Sequence, residues 1–357
     1  MTIESCKNPW TPLHARIHQL LRIRKLLYPN QSLLVAVSGG QDSLCLIQLL
    51  RDLRSRWGWH LAIAHCNHLW REDADANAHY VAQLAKNWHL PCYLVTAPKR
   101  LTSEASAREW RYKALQQIAQ EHHYPSIVIG HTASDRAETL LYNLMRGSGA
   151  DGLQSLVWQR SLAPDLQLVR PLLSSTRAET AKFCQDWRLQ VWQDNTNQDL
   201  QYARNRIRCE LLPYMQTHFN PQVEQTLAQT TEILAAEVTY LENMTERLYQ
   251  QVIWQERLQS KEEVDYPPVS SETSLGFNRA LLRLEPLALQ RRVLRRFLQS
   301  CLPCAPQFEH IEKLVGLLNA PNRSRTDPFP GQMTAHVSGD WIWLMSQIQS
   351  PGEWQNA

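Results

Sequence analysis

The sequence predicts an α/β fold, a doubly wound and mainly parallel sheet followed by a second, mainly helical domain. Three observations carry that prediction. Short apolar runs recur at residues 32–37, 61–65, 92–96 and 126–130. The segments between them have helical length, with apolar residues three and four apart. From about Asn220 the strand-like runs give way to sustained helical periodicity.

Strands that alternate with helices at roughly 30-residue spacing make a parallel sheet, because parallel neighbours need a crossover. Segments 43–57, 74–88 and 106–122 supply those crossovers. Ligands of such sheets bind at the carboxyl ends of the strands, so functional residues are expected just after Val37, Ala64, Thr96 and Ile129. In the second half, Asn220 and Pro221 read as N-cap and first helical residue. Val223, Leu227, Leu234, Leu241, Leu248 and Val252 then continue one long helix. Residues 261–273, with Pro267 and Pro268, suit an exposed loop. Helices are expected at 287–298 and 308–318, and a short strand or hairpin at 333–344. The domain boundary is expected near Thr217, giving domains 1–216 and 217–357, with no internal repeat.

Composition narrows the class of protein. At 357 residues and 43% apolar with 12 glycines, the chain can bury a core and is too apolar for a disordered binder. A formal charge of +3 means that a nucleic-acid partner would be held by clustered basic side chains. The eight cysteines are scattered, which suits reduced thiols. Cys301 and Cys304 form a C-x-x-C without a second pair, so two half-buried thiols are expected there rather than a metal. No apolar run approaches the ~20 residues that cross a bilayer. Residues 1–10 carry Glu4 and Lys7 and lack the apolar run of a signal peptide. A cytoplasmic protein without a membrane partner is the expectation.

The sharpest local signal follows the first strand: Ser38, Gly39, Gly40, Gln41, Asp42 and Ser43, leading straight into a helix. Two glycines let the backbone turn tightly and approach an anion closely. Backbone N–H groups and the helix dipole then favour phosphate. Ser38 and Ser43 add hydroxyls, and Asp42 suits Mg²⁺. No Gly-Lys-Ser or Gly-Lys-Thr is present, so this is not the lysine-bearing P-loop. It resembles the loop of the ATP pyrophosphatases, which cleave between the α- and β-phosphates.

Further motifs fall where the sheet places a site. His65, Asn67, His68 and Arg71 follow the second strand, suited to hydrogen bonds beside a nucleotide rather than to a metal. Glu104, Arg108, Arg111 and Tyr112 follow the third, the two arginines one turn apart. His131, Ser134, Asp135, Arg136, Glu138 and Thr139 follow the fourth, then Arg146, Gly147, Ser148 and Gly149. Beyond them stand Arg170 to Leu173, Arg177, and the run Asp194, Asn195, Asn197, Tyr202, Arg204, Asn205, Arg206, Ile207 and Arg208. Together these segments resemble the signatures of the tRNA(Ile)-lysidine synthetases, members of the PP-loop superfamily with an adenine nucleotide alpha hydrolase-like fold. Ser134 replaces an acid and Arg136 a glutamine of that pattern. The resemblance spans residues 32–213 in motif detail and is only architectural beyond.

The resemblance implies a reaction. The wobble cytidine of a tRNA(Ile) with a CAU anticodon is adenylated by ATP on the oxygen at carbon 2, and free L-lysine then displaces AMP to give lysidine. It implies ATP binding by Ser38, Gly39, Gly40, Gln41, Asp42, Ser43, His65 and His131, with Mg²⁺ on Asp42. Catalytic or orienting roles fall to Asp42, Asp135, Glu138, Arg108 and Arg111, and tRNA contacts to Arg146, Arg204, Arg206 and Arg208. A homodimer is admitted but not specified. A basic stripe, Arg291, Arg292, Arg295 and Arg296, is open to reading as a tRNA track or as a solvated face. Two alternatives stay open: a tRNA thiolase on the same loop, using Cys66, and a tRNA-binding module that only senses ATP.

Overall fold

Alternate residues of the central strands enter opposite cores, as the two-residue period of a strand buried on both faces requires. Leu33, Val35, Leu61, Ile63 and Val128 join one apolar cluster, whereas Leu34, Ala62, Ala64, Ile127 and Ile129 join another. The computed structural model describes residues 10–70, 72–99, 101, 103–193, 199–253 and 275–346. Glu4, Cys6, Lys7, Arg71, Asp194, Asn195, Asn197, the segment 261–273 and the side chain of Glu104 lie outside the described residues.

The elements of the first half are α1 (Pro12–Ile23), β1 (Ser32–Ala36), α2 (Gln41–Trp57), β2 (His60–Asn67), α3 (Ala74–Asn87), β3 (Cys92–Thr96), α4 (Glu104–Glu121), β4 (Ser126–Val128), α5 (Ala133–Met145), α6 (Ala150–Leu153), β5 (Gln159–Ala163), β6 (Leu166–Val169) and α7 (Arg177–Asp186). The sheet order is β3-β2-β1-β4-β6-β5. All pairs are parallel except β5 with β6. Ile17 and Leu21 of α1, Ile47 and Leu50 of α2 and Phe183 of α7 cover one face. Leu115, Ile118 and Ala119 of α4 cover the other. Each such buried Leu, Ile or Phe side chain contributes roughly 1.5–3 kcal/mol. The chain leaves β1 toward β2 and β3, then returns to lay β4 on the other side of β1. The crevice at that reversal is where such sheets hold ligands.

Two boundaries and one hairpin differ from the sequence expectation. Pairing with β3 carries β2 on to Asn67, so His65 and Asn67 stand within the strand rather than after it. The hairpin β5–β6 was not expected: β6, buried at Leu166, Leu168 and Val169, has only four residues, and β5 is exposed at Gln159, Arg160 and Ser161 and shows no buried apolar run. The long helix begins at Val223, not Pro221, because Asn220 Oδ1 accepts from Gln222 N at 2.9 Å in a turn that precedes it.

The chain divides into two compact units between Ala236 and Glu237, inside α10 (Val223–Val252). Before it come α8 (Ala203–Arg206), a π-helical turn (Ile207–Leu211) and α9 (Leu212–His218). Ala137 and Leu141 of α5 pack with Ile207, Leu212 and Val223. The second unit is not helical alone: β7 (Leu275–Asn278), β9 (Trp341–Ser346) and β8 (Met333–Ser338) form an antiparallel sheet. Helices α11 (Arg279–Leu282), α12 (Leu287–Cys301) and α13 (Phe308–Leu318) accompany it, and Phe277, Phe297, Leu298, Leu314 and Ile342 form its core. Its basic stripe is largely spent on neighbouring acids, Arg291 on Glu312, Arg292 and Arg295 on Glu242, and Arg296 on Glu246. Cys301 is half-buried but Cys304 is exposed, so the expectation of two half-buried thiols holds only for the first.

Candidate active site

The glycine turn is built as the residue types require. Gly39 has φ +84°, and a Cβ there would stand 2.9 Å from Asn77 Nδ2. Ser38 N donates to Ser43 Oγ at 3.2 Å, and Ser43 Oγ donates to Gly40 O at 2.8 Å. These bonds fix the turn against the first turn of α2. Gly40, the N-cap residue, provides no side-chain cap, which leaves first-turn N–H groups for an anion. The Asn77 amide is 2% exposed, and among the described residues its Nδ2 has no hydrogen-bond partner. A buried donor of this kind beside the turn fits an acceptor-rich ligand. From across the reversal, Gly130 comes so close that a Cβ would stand 2.9 Å from Asp42 O. His65, 4% exposed, donates Nδ1–H to Val37 O at 2.8 Å and so braces the strand end below the turn.

Three carboxylates surround one guanidinium. Arg177 donates to Asp42 at 3.3 Å, Asp135 at 2.9 Å and Glu138 at 2.8 Å. Arg208 donates to both oxygens of Glu138, at 2.7 and 2.8 Å. Three acids facing two guanidinium groups leave one formal negative charge among these five side chains. Burial lifts the Asp42 carboxyl above its ordinary range, even against Arg177. At Asp135 burial acts in the same sense, but Arg177, His131 and the hydrogen bonds of Thr132 outweigh it and hold the carboxyl below the usual range. Burial pulls Arg177 downward, yet the three acids carry it above its ordinary value. Asp42 also accepts from the Thr180 hydroxyl, and Gln41 Nε2 donates to Arg177 O at 2.7 Å.

His131 accepts at Nδ1 from Arg170 Nε, at 3.1 Å, which leaves its proton on Nε2. Burial pulls it down to about 3, so the ring is neutral at physiological pH. Arg108, Arg111 and Arg160 lie 5.2, 5.7 and 5.3 Å from the Tyr112 ring. Arg146 and Arg204 lie over Tyr142 at 5.3 and 5.5 Å, and Arg206 is exposed. Among the described residues no cluster of three acids, histidines or cysteines stands ready for a metal, because Arg177 occupies the centre of the acids. One carboxylate, Asp42, beside a phosphate turn still fits Mg²⁺, which takes one or two carboxylates together with substrate phosphates.

A family model described as a PP-loop domain matches residues 11–215, and one described as the TilS substrate binding domain matches residues 277–343. The tRNA(Ile)-lysidine synthase of Nostoc sp. is 59% identical over 336 residues, 94% of this chain and 97% of that protein. The chain belongs to the tRNA(Ile)-lysidine synthase family. The enzyme of that name from Synechocystis sp. is 49% identical over 95% of this chain and 99% of that protein. Among solved structures, the U34-tRNA thiolase NcsA from Methanococcus maripaludis shares the fold, with TM-score 0.53 at 15% identity, over 62% of this chain and 77% of that one.

Within this tRNA(Ile)-lysidine synthase family member, the two departures at the start of α5 have structural partners. Ser134 Oγ donates to Glu224 at 2.6 Å and accepts from Arg177 N at 3.0 Å. Arg136, 3% exposed, pairs with Glu232 at 2.9 Å and lies 4.9 Å over Trp158. Sequence reasoning named Arg177 only in passing and missed Thr180, Glu224 and Glu232. One signal for Arg177 was present. It is the first residue of a helix whose cap is the Thr176–Glu179 capping box, and a cation there opposes the helix dipole unless acids hold it.

Proposed function

We propose that the chain ligates L-lysine to carbon 2 of the wobble cytidine in a CAU-anticodon tRNA(Ile), with ATP converted to AMP and pyrophosphate in the cytoplasm. Residues 1–216 carry the catalysis and residues 217–357 recognise tRNA. The observation that carries this reading is one crevice with two complementary halves. A phosphate turn that includes Asp42 lies on one side, and the acids Asp135 and Glu138, held by Arg177 and Arg208, lie on the other.

Ser38 to Ser43 hold the triphosphate through backbone N–H groups and hydroxyls. Mg²⁺ held by Asp42 would neutralise charge at the phosphates. The cytidine oxygen attacks the α-phosphorus and pyrophosphate leaves, which turns a poor leaving group into a good one. Asp135 and Glu138 hold the lysine ammonium, and Arg108 and Arg111 orient the cytosine. Neutral His131 offers its Nε2–H to the nucleotide. Arg146, Arg204 and Arg206 meet the tRNA backbone, and Arg208 meets it by way of the turn that also fixes Glu138. A loop nucleotide leaves its stack at low cost, so the cytidine reaches the crevice.

The thiolase reading loses support at Cys66, whose thiol burial pushes up to about 11, away from the thiolate that sulfur chemistry needs. Incubating the protein with labelled lysine, ATP, Mg²⁺ and the tRNA(Ile) transcript tests the proposal. Label in RNA that depends on ATP is expected. Unlabelled RNA, or a sulfur substitution by mass spectrometry, overturns it.

A further inference from the structure

One turn beyond the acids on α5, the first unit opens a cavity of about 650 Å³. Tyr142, Met145, Arg146, Arg206, Ile207 and Tyr214 line it. Met145 and Tyr214 are 63% and 56% exposed. Large apolar side chains left open in this way mark a binding surface more often than a bare one. Among the lining residues Glu210 is the one acid against Arg146 and Arg206, and Arg204 lies with Arg146 over the Tyr142 ring. Part of the wall is the π-helical turn Ile207–Leu211, a rare geometry concentrated at functional sites.

Aromatic rings and guanidinium planes around an apolar hollow accept an unstacked base, and surplus positive charge at the rim suits the phosphates on either side of it. An apolar segment of protein would gain nothing from that rim. Tyr142 follows Glu138 by four residues, roughly 6 Å along the helix axis. A base held in the cavity therefore leaves its chain neighbour within reach of the acids.

We propose that this cavity holds a nucleobase adjoining the modified cytidine in the anticodon loop, stacked against Tyr214. The inference rests on the function proposed above and adds a second base subsite to it. It explains why half-buried Tyr142 and exposed Tyr214 meet on the flank of the helix that carries Asp135 and Glu138.

The test is a cycle with two parts. Tyr214→Leu in the full chain is expected to weaken tRNA(Ile) binding roughly 10-fold or more, the range given by loss of one stacked base. The KM values for ATP and lysine should hold, and Tyr214→Phe should bind as the wild type does. Transcripts made abasic at either nucleotide flanking the cytidine form the second part. One of them should bind the wild type as weakly as Tyr214→Leu binds intact tRNA, with no further loss when both changes are combined. Losses that multiply at both flanking positions overturn the subsite, and so does unchanged tRNA affinity in Tyr214→Leu. A variant that shifts from dimer to monomer with tRNA affinity intact would make the cavity a contact between copies and overturn it too. If the wild type adds lysine to tRNA while the variant binds tRNA normally, this subsite falls and the proposed reaction stands. If the wild type adds none, the reaction itself falls.

Discussion

Arg208 grips both carboxylate oxygens of Glu138, Nε to Oε1 at 2.7 Å and Nη2 to Oε2 at 2.8 Å. The arginine comes from the π-helical turn and the acid from α5, so this fork fixes one acid of the crevice from outside the sheet. Glu138 also accepts from Arg177, and its side chain is only 4% exposed. If it also receives the lysine ammonium, Glu138→Gln should raise the KM for lysine about 10- to 100-fold, the worth of a hydrogen bond to a charged group. The KM for ATP should hold. Steady-state kinetics with each substrate varied in turn would check this, and an equal rise for both would contradict it.

Arg177 is the cation that lets three acids share one space. Arg177→Met leaves them facing one another with Arg208 still on Glu138, and removing one partner of a buried pair costs about 3–5 kcal/mol. Denaturant unfolding should show a loss of roughly that size, and Asp42→Asn in the same background should restore part of it. A loss below about 1 kcal/mol would mean that the acids are held by something else.

Asp42→Asn in the otherwise unchanged chain removes the one carboxylate placed for Mg²⁺ beside the turn. Lysine incorporation should fall by on the order of 100-fold or more, the worth of several kcal/mol of charge stabilisation. Because burial holds the Asp42 carboxyl above its usual range, neutralising it should not lower the melting temperature. A normal rate in the variant would remove Asp42 from the mechanism.

His131 supplies a pH test with a definite sign. Its folded value lies near 3, below the roughly 6.5 of an unfolded chain. As pH falls below about 6.5, the unfolded chain binds a proton that the folded chain refuses, and stability declines by up to about 1.4 kcal/mol per pH unit. His131→Asn should flatten the stability curve between about pH 6 and 4. Asp135, held low in the folded state, adds its own loss only at more acid pH, below about 4. Unfolding curves across that range that match for variant and wild type would contradict the assignment.

Ser134 stands where the related pattern has an acid. Its hydroxyl donates to Glu224 at 2.6 Å, so Ser134→Asp would set two carboxylates face to face. A destabilisation of roughly 1–3 kcal/mol is expected, relieved when Glu224→Gln is added. Additive losses in that double variant would show that the two positions do not interact.

What the sequence made legible was the frame and the places on it. The turn at Ser38–Ser43, the acids Asp135 and Glu138 and the arginines of residues 204–208 all fall near the carboxyl ends of strands or beside α5, because alternation of short apolar runs with helices constrains a parallel sheet strongly. The partnerships were not legible. Arg177 reaches acids 135, 42 and 39 residues away in the chain, and no local pattern records such distances. Hairpin β5–β6 was hidden because its edge strand is polar, and the π-helical turn because its extra residue leaves helical periodicity nearly unchanged. The basic stripe on α12 misled for the same reason, since spacing shows which face an arginine takes and not which carboxylate meets it.

That stripe bears on how the second unit would respond to ionic strength. Each of the four arginines lies against a carboxylate, Glu242, Glu246 or Glu312, so less of the stripe's charge is left to displace a cation from a phosphate than its sequence suggests. Each unpaired cation steepens the fall of log K with log salt by about 0.7–0.9. Helix α12 should therefore add fewer such increments than the four its sequence would suggest, and RNA recognition by this part of the chain should persist in salt that strips a purely electrostatic binder.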